Sequence, residues 1–455
     1  MYSFAMRLLA LLLIYGSTGI ALAAEHARPN VVLILADDQG WQDYGFMGSQ
    51  IVHTPHLDQL AQRSLVFERG YVVAPLCRPS LASIVTGLYP HQHGVCANDV
   101  SPARGLERAK ENQPVYESFH QLPSWIRVLV NDGYLAFQSG KWWEGSWRDG
   151  GFTHGMTHGD ALRGGRHGDE GLKIGRQGMT PITQFIDQAV AAEKPFVVWY
   201  APFLPHTPHN PPADLLKKYQ VAGRAENLAK YYAMCEWFDA TCGELLDHLE
   251  EQDLTENTLV LFLADNGWVA RDDSAELPQG WWNDYAPRSK GSPFEAGIRT
   301  PIMISWPTVI TPERSSELAS SLDLMPTILS ACGLDAPENL PGIDLLDDQA
   351  KQDRNAIFGA AYSIHNMNPG DPASTLQYRW CIQGDRKLML RSHGSDTTPL
   401  KTVHEWDDVP VRLYNLKLNP GENENLASRE KETVMELSRR LARQIPASTE
   451  EPATH

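Results

Sequence analysis

The chain is poor in cysteine and has no CxxC pair. Six thiols are spread over 455 residues, at Cys77, Cys96, Cys235, Cys242, Cys332 and Cys381. The missing pairs exclude a zinc ribbon or a thioredoxin-like redox site, and six is too few for a disulfide scaffold in so long a chain. Cys235 and Cys242 fall on one predicted helix, where seven residues at a rise of about 1.5 Å put them about 10 Å apart, beyond disulfide reach. Basic residues are also in deficit. Lys and Arg number 39 against 56 Asp and Glu, for a net charge of −17, which excludes the basic stripe of a nucleic-acid binder. An anionic substrate would therefore need a local basic pocket that overrides the global field. No repeat of about 20–50 residues is evident, which excludes a solenoid or propeller. The overall balance, 42% hydrophobic and 21% charged with 35 Gly and 31 Pro, excludes collagen, a coiled coil and a disordered polymer.

Long apolar runs are missing beyond the first 24 residues. Those 24 carry Arg7, an apolar stretch over 8–20 broken by Gly, Ser and Thr, and the small-residue run Ala21-Leu22-Ala23-Ala24. That is the order of a signal peptide. The stretch is too short and too interrupted for a stable membrane span, so the mature chain is expected to be periplasmic or secreted.

Apolar runs at 31–36, 196–203 and 258–264 read as buried strands, with a fourth at 302–306. Helical spacing separates them at 123–131, 181–192, 231–250 and 323–331. Such alternation predicts an α/β fold, a large, mostly parallel mixed sheet sandwiched by helices. The acidic stretch 338–352 reads as a linker. Short strands near 356–363, 378–383, 386–392 and 411–416, then a helix at 431–444, predict a smaller C-terminal antiparallel sheet plus helix. The expected units are a signal peptide over 1–24, a catalytic domain over 25–350 and a subdomain over 351–455.

Two strands end alike, LILADDQGW and LFLADNGW. Ligands in open α/β sheets bind beyond the carboxyl ends of strands, so Asp37, Asp38, Asp265 and Asn266 should converge in one crevice. Three carboxylates cannot sit together uncompensated, and oxygen ligands suit a hard cation, calcium or magnesium. Cys77 opens the segment CRPSLASIVTG, at the positive end of a helix. A plain thiolate is a poor ligand for a hard cation, whereas an oxidised, oxygen-bearing residue 77 suits the crevice.

With these residues in place the sequence resembles the formylglycine-dependent sulfatases of the alkaline-phosphatase-like superfamily. RPNVVLILADDQGW resembles their metal-binding start, and CRPSLASIVTG their modification motif, in which Cys becomes formylglycine. GYLAFQSGKWWEG is similar to their GYxTxxxGKWHLG block, PFLPHTPH to the segment with a catalytic His, and LADNG to the second metal pair. RSKGSPFEAGIRTPIMISWP resembles the block carrying a catalytic Lys; LDLMPTIL and LYNLKLNPGENENLA resemble later landmarks. The blocks occur in the family's order over nearly the whole mature chain.

The resemblance implies a sulfuric ester hydrolase acting on a sulfated carbohydrate, matured by a formylglycine-generating enzyme. Hydrated formylglycine at Cys77 would attack sulfur through one hydroxyl and expel sulfate through the other. Asp37, Asp38, Asp265, Asn266 and residue 77 would hold the cation. Lys141 and Lys290 would hold sulfate oxygens, and His206 would bind sulfate or relay a proton.

The chain departs from the family pattern twice. Leu81 stands where the modification motif has Arg, and Trp143 where the GKWHLG block has His. Trp cannot exchange a proton, so another group must serve the leaving alcohol. The following His-rich segment offers His154, His158, Arg163, Arg166 and His167. His154 is the first choice for the pocket, since fewest residues separate it from Lys141 and Gly150-Gly151 let the chain fold back. Trp142, Trp143, Trp147, Trp281 and Trp282 are candidate sugar-stacking walls. Two rivals stand beside this reading: a phosphate or phosphonate monoester hydrolase on the same scaffold, and a non-catalytic sulfated-glycan binder suggested by Leu81 and Trp143.

Overall fold

Strands apolar on both faces need cover on both faces, and that requirement organises the molecule. The computed structural model describes residues 28–160, 162, 167–275, 281, 283–392 and 409–447; the expected signal peptide, Arg163, Arg166 and Trp282 lie outside the described residues. Eight strands form the main sheet: β1 (Asn30–Ala36), β2 (Leu65–Tyr71), β3 (Leu135–Gly140), β4 (His154–Gly155), β5 (Phe196–Ala201), β6 (Thr258–Ala264), β7 (Arg299–Ser305) and β8 (Glu313–Ser320). Their order is β4-β3-β5-β1-β6-β7-β2-β8. Every residue of β1, β5 and β6 is buried. Val31, Leu33 and Leu35 enter the core on one face, Val32 and Ile34 the core on the other.

The helix Trp125–Asn131 covers the first face with Trp125, Ile126 and Leu129. The long helix Glu226–Glu251 covers the second with Met234, Phe238, Cys242 and Leu245. All six cysteines are free and buried. Among the described residues no helix is long and apolar enough to cross a membrane.

The sheet is parallel except for β7, which runs antiparallel to β6 and β2. The sequence gives no sign of this reversal, because an apolar run reads the same in either direction. Its cause is the connection. Among the described residues of 265–298 the one helix is the four-residue Glu295–Ile298, with no crossover helix, so the chain enters β7 from the end at which β6 stops. β2 and β3 also escape pattern reading. The first is broken by Glu68-Arg69, and the second passes into Gln138-Ser139-Gly140.

A second sheet, antiparallel in the order β12-β11-β10-β9, comprises β9 (Ile357–Tyr362), β10 (Leu376–Gln383), β11 (Arg386–Arg391) and β12 (Val411–Asn415). The helix Lys431–Gln444 buries Leu437 and Leu441. The stretch 338–352 is not a free linker. Leu345 is fully buried, and Asp347 caps a helix at Asp348–Asp353 by accepting from the amides of Gln349 and Ala350.

A buried ionic cluster joins the two sheets. Lys387 of β11 lies 3.1 Å from Glu295 and 2.8 Å from Glu422, and Tyr71 of β2 donates to Glu295 at 3.0 Å. Burial, with Glu295 alongside, raises the Glu422 carboxyl despite Lys387. Removing one partner leaves an uncompensated charge in the interior. Lys387→Met is therefore expected to lower unfolding free energy by about 3–5 kcal/mol in urea titrations, while Arg429→Ala, which breaks an exposed pair with Glu424, is expected to change it by less than about 1 kcal/mol.

Candidate active site

The register of the central strands builds the site. Ala36 of β1 lies opposite Ala264 of β6, so Asp37-Asp38 and Asp265-Asn266 leave the sheet side by side. Asp38 adopts a left-handed backbone with φ of 64°, a region short polar side chains tolerate, and its amide donates to Asp265 Oδ1 at 3.2 Å. Asn266 Nδ2 donates to Asp38 Oδ1 at 2.8 Å.

Neighbouring strands supply the cations. β3 delivers Lys141, whose Nζ lies 2.5 Å from Asp37 Oδ1 and 3.7 Å from Asp265 Oδ2. The segment after β5 delivers His206, whose Nε2 lies 3.3 Å from Asp38 Oδ2. Lys290, from the connection between β6 and β7, lies 2.5 Å from Asp38 Oδ1 and 3.1 Å from Cys77 Sγ.

Burial dominates the electrostatics. It pushes Asp37 well above the usual carboxylate range despite Lys141, with Asp265 and Asp38 adding to the rise, and it raises Asp265 as well. Burial also acts to raise Asp38, but Lys290, His206 and Lys141 outweigh it and hold that carboxyl below the usual range. Lys141 and Lys290 are raised because Asp37 and Asp38 outweigh the cost of burying an ammonium. Burial pushes His206 well below its ordinary value, so its ring is neutral. Its Nδ1 lies 2.6 Å from the Thr207 carbonyl and its Nε2 3.3 Å from Asp38 Oδ2, two acceptors that compete for the one proton of the neutral ring.

Four buried oxygens here have no hydrogen-bond partner: Asp37 Oδ2, Asp38 Oδ2, Asp265 Oδ2 and Asn266 Oδ1. Ligand atoms of Asp37, Asp38, Cys77 and His206 lie within 4.8 Å of one another. Buried polar atoms are ordinarily satisfied. An all-oxygen set of orphans beside two pairs of strand ends therefore fits a hard divalent cation.

Cys77 is the first residue of a helix, Cys77–Thr86, whose ten residues are all buried. Pro79 lies in its first turn, where a missing N–H costs nothing. Burial pushes the Cys77 thiol up to about 12 in spite of the two lysines, so the plain thiol is a poor nucleophile at neutral pH. Arg78 points away from the crevice, into a bidentate pair with Glu144 at 2.7 and 2.8 Å, and also donates to Asn112 and the Asn98 carbonyl. Leu81 is 5% exposed and belongs to the apolar core.

The pattern of the sulfatase family matches residues 29–334, and that of the N-sulphoglucosamine sulphohydrolase C-terminal region matches 288–450. The chain belongs to the sulfatase family. Arylsulfatase A of Bos taurus is 30% identical over 90% of this chain and 85% of its own. N-acetylgalactosamine-6-sulfatase of Canis lupus familiaris is 29% identical over 74% of this chain and 69% of its own. Among solved structures, that of Ps i-CgsB superposes with a TM-score of 0.70 at 22% identity, covering 93% of this chain and 94% of that one. This sulfatase is thus an enzyme that hydrolyses sulfate esters, on an alkaline-phosphatase-like fold, and the non-catalytic alternative is not favoured.

The structure corrects the expectation for His154. In this sulfatase the residue lies on β4 beside Phe137 of β3, its ring 5.3 Å from Phe185 and its Nδ1 2.8 Å from Thr153 Oγ1. Phe137 precedes Lys141 by four residues, so His154 sits about 13 Å down the strand from the crevice. Gly150-Gly151 do turn the chain back, but the Thr153 and Met156 amides bond to the Ala136 and Gln138 carbonyls and make it an edge strand. His158 is exposed beside Tyr116 and His120.

His167 is joined to His206 of the site through an intervening ring, Phe203. Its ring stacks on Trp143 at 5.1 Å and lies 5.3 Å from Phe203, which stacks on His206 at 4.3 Å. Trp142 and Trp143 are 4% and 6% exposed and pack inside the core, so neither is an open wall for sugar.

Sequence reasoning also missed Arg176, which carries no motif. Its guanidinium donates at 2.8 Å to both the Phe203 and His206 carbonyls and at 2.5 Å to Asn210 Oδ1, gripping the segment that bears His206. Gly140, before Lys141, has φ of 77°, and a Cβ there would lie 1.8 Å from the Ala201 carbonyl oxygen. Gly140→Ala is expected to cost about 3 kcal/mol or more in unfolding free energy, measured by urea denaturation.

Proposed function

We propose that this sulfatase removes sulfate from a carbohydrate ester, using formylglycine made from Cys77 and a divalent cation, calcium before magnesium, held by Asp37, Asp38, Asp265, Asn266 and residue 77. The observation that carries the metal reading is the set of four buried oxygens without partners. Bound there, the cation supplies Lewis-acid stabilisation of sulfate oxygens and of the nucleophile. As the hydrated aldehyde, residue 77 supplies the oxygen nucleophile that the thiol cannot. Lys141 and Lys290 stand beside it as fixed cations for the remaining sulfate oxygens. His206, neutral beside Asp38, would bind a sulfate oxygen or relay a proton.

Charge balance favours sulfate over phosphate. With a divalent cation bound and all three carboxylates ionised against it, the three carboxylates, two ammonium groups and the cation sum to one positive charge. A sulfate monoester, a monoanion at neutral pH, is matched; a phosphate dianion is not. A phosphonate monoester is also a monoanion, and there the family assignment favours sulfate. The carbohydrate reading draws on the canine relative's name, N-acetylgalactosamine-6-sulfatase, and on the second family pattern, named for a glucosamine substrate. Export through residues 1–24, maturation by a formylglycine-generating enzyme, and a catalytic unit over 25–350 beside a smaller one over 351–455 belong to the same proposal.

The test is release of inorganic sulfate from sulfated polysaccharides and their oligomers, beside paired aryl sulfate and phosphate monoesters. Sulfate release should exceed phosphate release, vanish with a chelator and return first with calcium. The peptide containing residue 77 should show the mass of an aldehyde. A fully active enzyme whose peptide carries only free thiol would end the formylglycine mechanism.

The leaving alcohol needs a proton, and His167 is the imidazole the fold brings beside Trp143 and Phe203. General acid catalysis contributes about 10²–10⁴-fold. His167→Ala should lower kcat on a sugar sulfate by about a hundredfold or more, and by less on an aryl sulfate with a good leaving group. His154→Ala should leave both substrates near wild-type turnover. Equal, small effects of the two variants would rule His167 out as the acid.

A further inference from the structure

Among the described residues, Arg78 makes five hydrogen bonds, all with buried partners. Its amide donates to Asn98 Oδ1 at 3.1 Å, and its guanidinium to both oxygens of Glu144, to the Asn98 carbonyl at 3.2 Å and to Asn112 Oδ1. We infer that Arg78 is a positioning residue for the hydrolysis: pinned from three other segments, it sets the direction in which residue 77 leaves its helix. The inference rests on the reading of residue 77 as the nucleophile, made as formylglycine.

Little else holds the start of that helix. Leu76, at the N-cap, has no side chain to accept from the first amides, Pro79 has no N–H, and no acidic residue stands in the first turn. Asn98 supplies the missing cap from a distant segment, and its side chain and carbonyl grip the same residue at both ends. The fixed point of the helix start is therefore the residue next to 77.

Successive side chains on a helix point about 100° apart. Fixing the direction of Arg78 thus fixes that of residue 77. Arg78 is held away from the crevice, and Cys77 Sγ, which stands where the aldehyde oxygen would be, lies 3.1 Å from Lys290 Nζ. Turning the helix start about its axis would carry that atom off Lys290, and it would have to break the fork to Glu144. Glu144 follows Lys141 by three residues. Its carbonyl receives the Trp142 indole N–H at 3.3 Å and lies 3.0 Å from His120 Nε2, so the ion pair ties the helix of residue 77 to the segment that carries Lys141. A displacement of about 1 Å at a reacting group can cost about a hundredfold in rate.

Stability alone does not account for the pair. Replacing a buried ion pair by apolar residues of similar volume is often neutral or stabilising. What Arg adds over any apolar residue, and over Lys, is two parallel bonds in a fixed plane. The contribution of the pair to folding and its contribution to turnover should therefore separate.

The experiment measures kcat and KM for an aryl sulfate per mole of folded, aldehyde-bearing enzyme. Aldehyde content comes from the mass of the peptide containing residue 77, and folded fraction from urea titration. Arg78→Lys keeps the charge and loses the fork. The double variant Arg78→Met with Glu144→Leu removes both charges and leaves neither unpaired. Asn98→Ala removes the cap on the Arg78 amide and leaves the ion pair in place, so it decides the matter if the other two do not fold. Turnover should fall about a hundredfold in the first two and about tenfold in Asn98→Ala, with KM within about threefold of wild type. The double variant should keep a urea midpoint at or above that of wild type. Near-wild-type kcat in the double variant or in Asn98→Ala, a loss borne by KM, or a loss that only follows the unfolded fraction overturns the inference alone. Full activity from enzyme whose residue 77 is only a thiol overturns the formylglycine reading, and this inference with it.

Discussion

Asp37, Asp38 and Asp265 are carboxylates no more than 2% exposed, and they crowd the ends of two adjacent strands. Left alone, such a cluster would take up protons or push the strand ends apart. Everything around it answers that repulsion. Two lysines from different loops are drawn onto it, a histidine is held neutral beside it, and four oxygens still lack a hydrogen-bond partner. The same cluster that threatens the fold is what makes a cation and an anionic ester welcome.

Rigid neighbours make this arrangement possible. β3, β5, β1 and β6 lie side by side in the sheet, so Lys141, His206 and the two acidic pairs emerge along one edge with their spacing set by backbone hydrogen bonds. The loop with Lys290 has no strand to stand on. It is held instead by Arg288, which donates to the Glu422 carbonyl, and by the Gly291 amide, which donates to the Pro75 carbonyl near Cys77. The chain after β12 thus supports the crevice through the loop it anchors.

Much of this was legible in the sequence. β1, β5 and β6 announce themselves as unbroken apolar runs, and Asp37, Asp38, Asp265 and Asn266 as matching strand ends, because burial on both faces and a turn rich in short acids leave few other readings. The helix at 431–444 was equally plain. His154 misled because proximity in sequence says nothing about which edge of a sheet a returning chain will join. Two backbone bonds to β3 decided that, and no side-chain pattern encodes them. His167 lay in the same segment, but its place beside Trp143 goes with a backbone bond from the Trp142 amide to the His167 carbonyl, which no side-chain pattern encodes. Arg176 was invisible because its partners are carbonyls, which every residue carries.

The helix that begins at Cys77 has no solvent-facing side. All ten of its residues are buried, and Cys77 itself is 2% exposed. Any other protein that alters residue 77 must therefore reach it before this helix is enclosed. If residue 77 is converted as proposed, folding and maturation would compete in time: slower folding would widen the interval in which it can be changed, and a chain that folded too soon would keep its thiol.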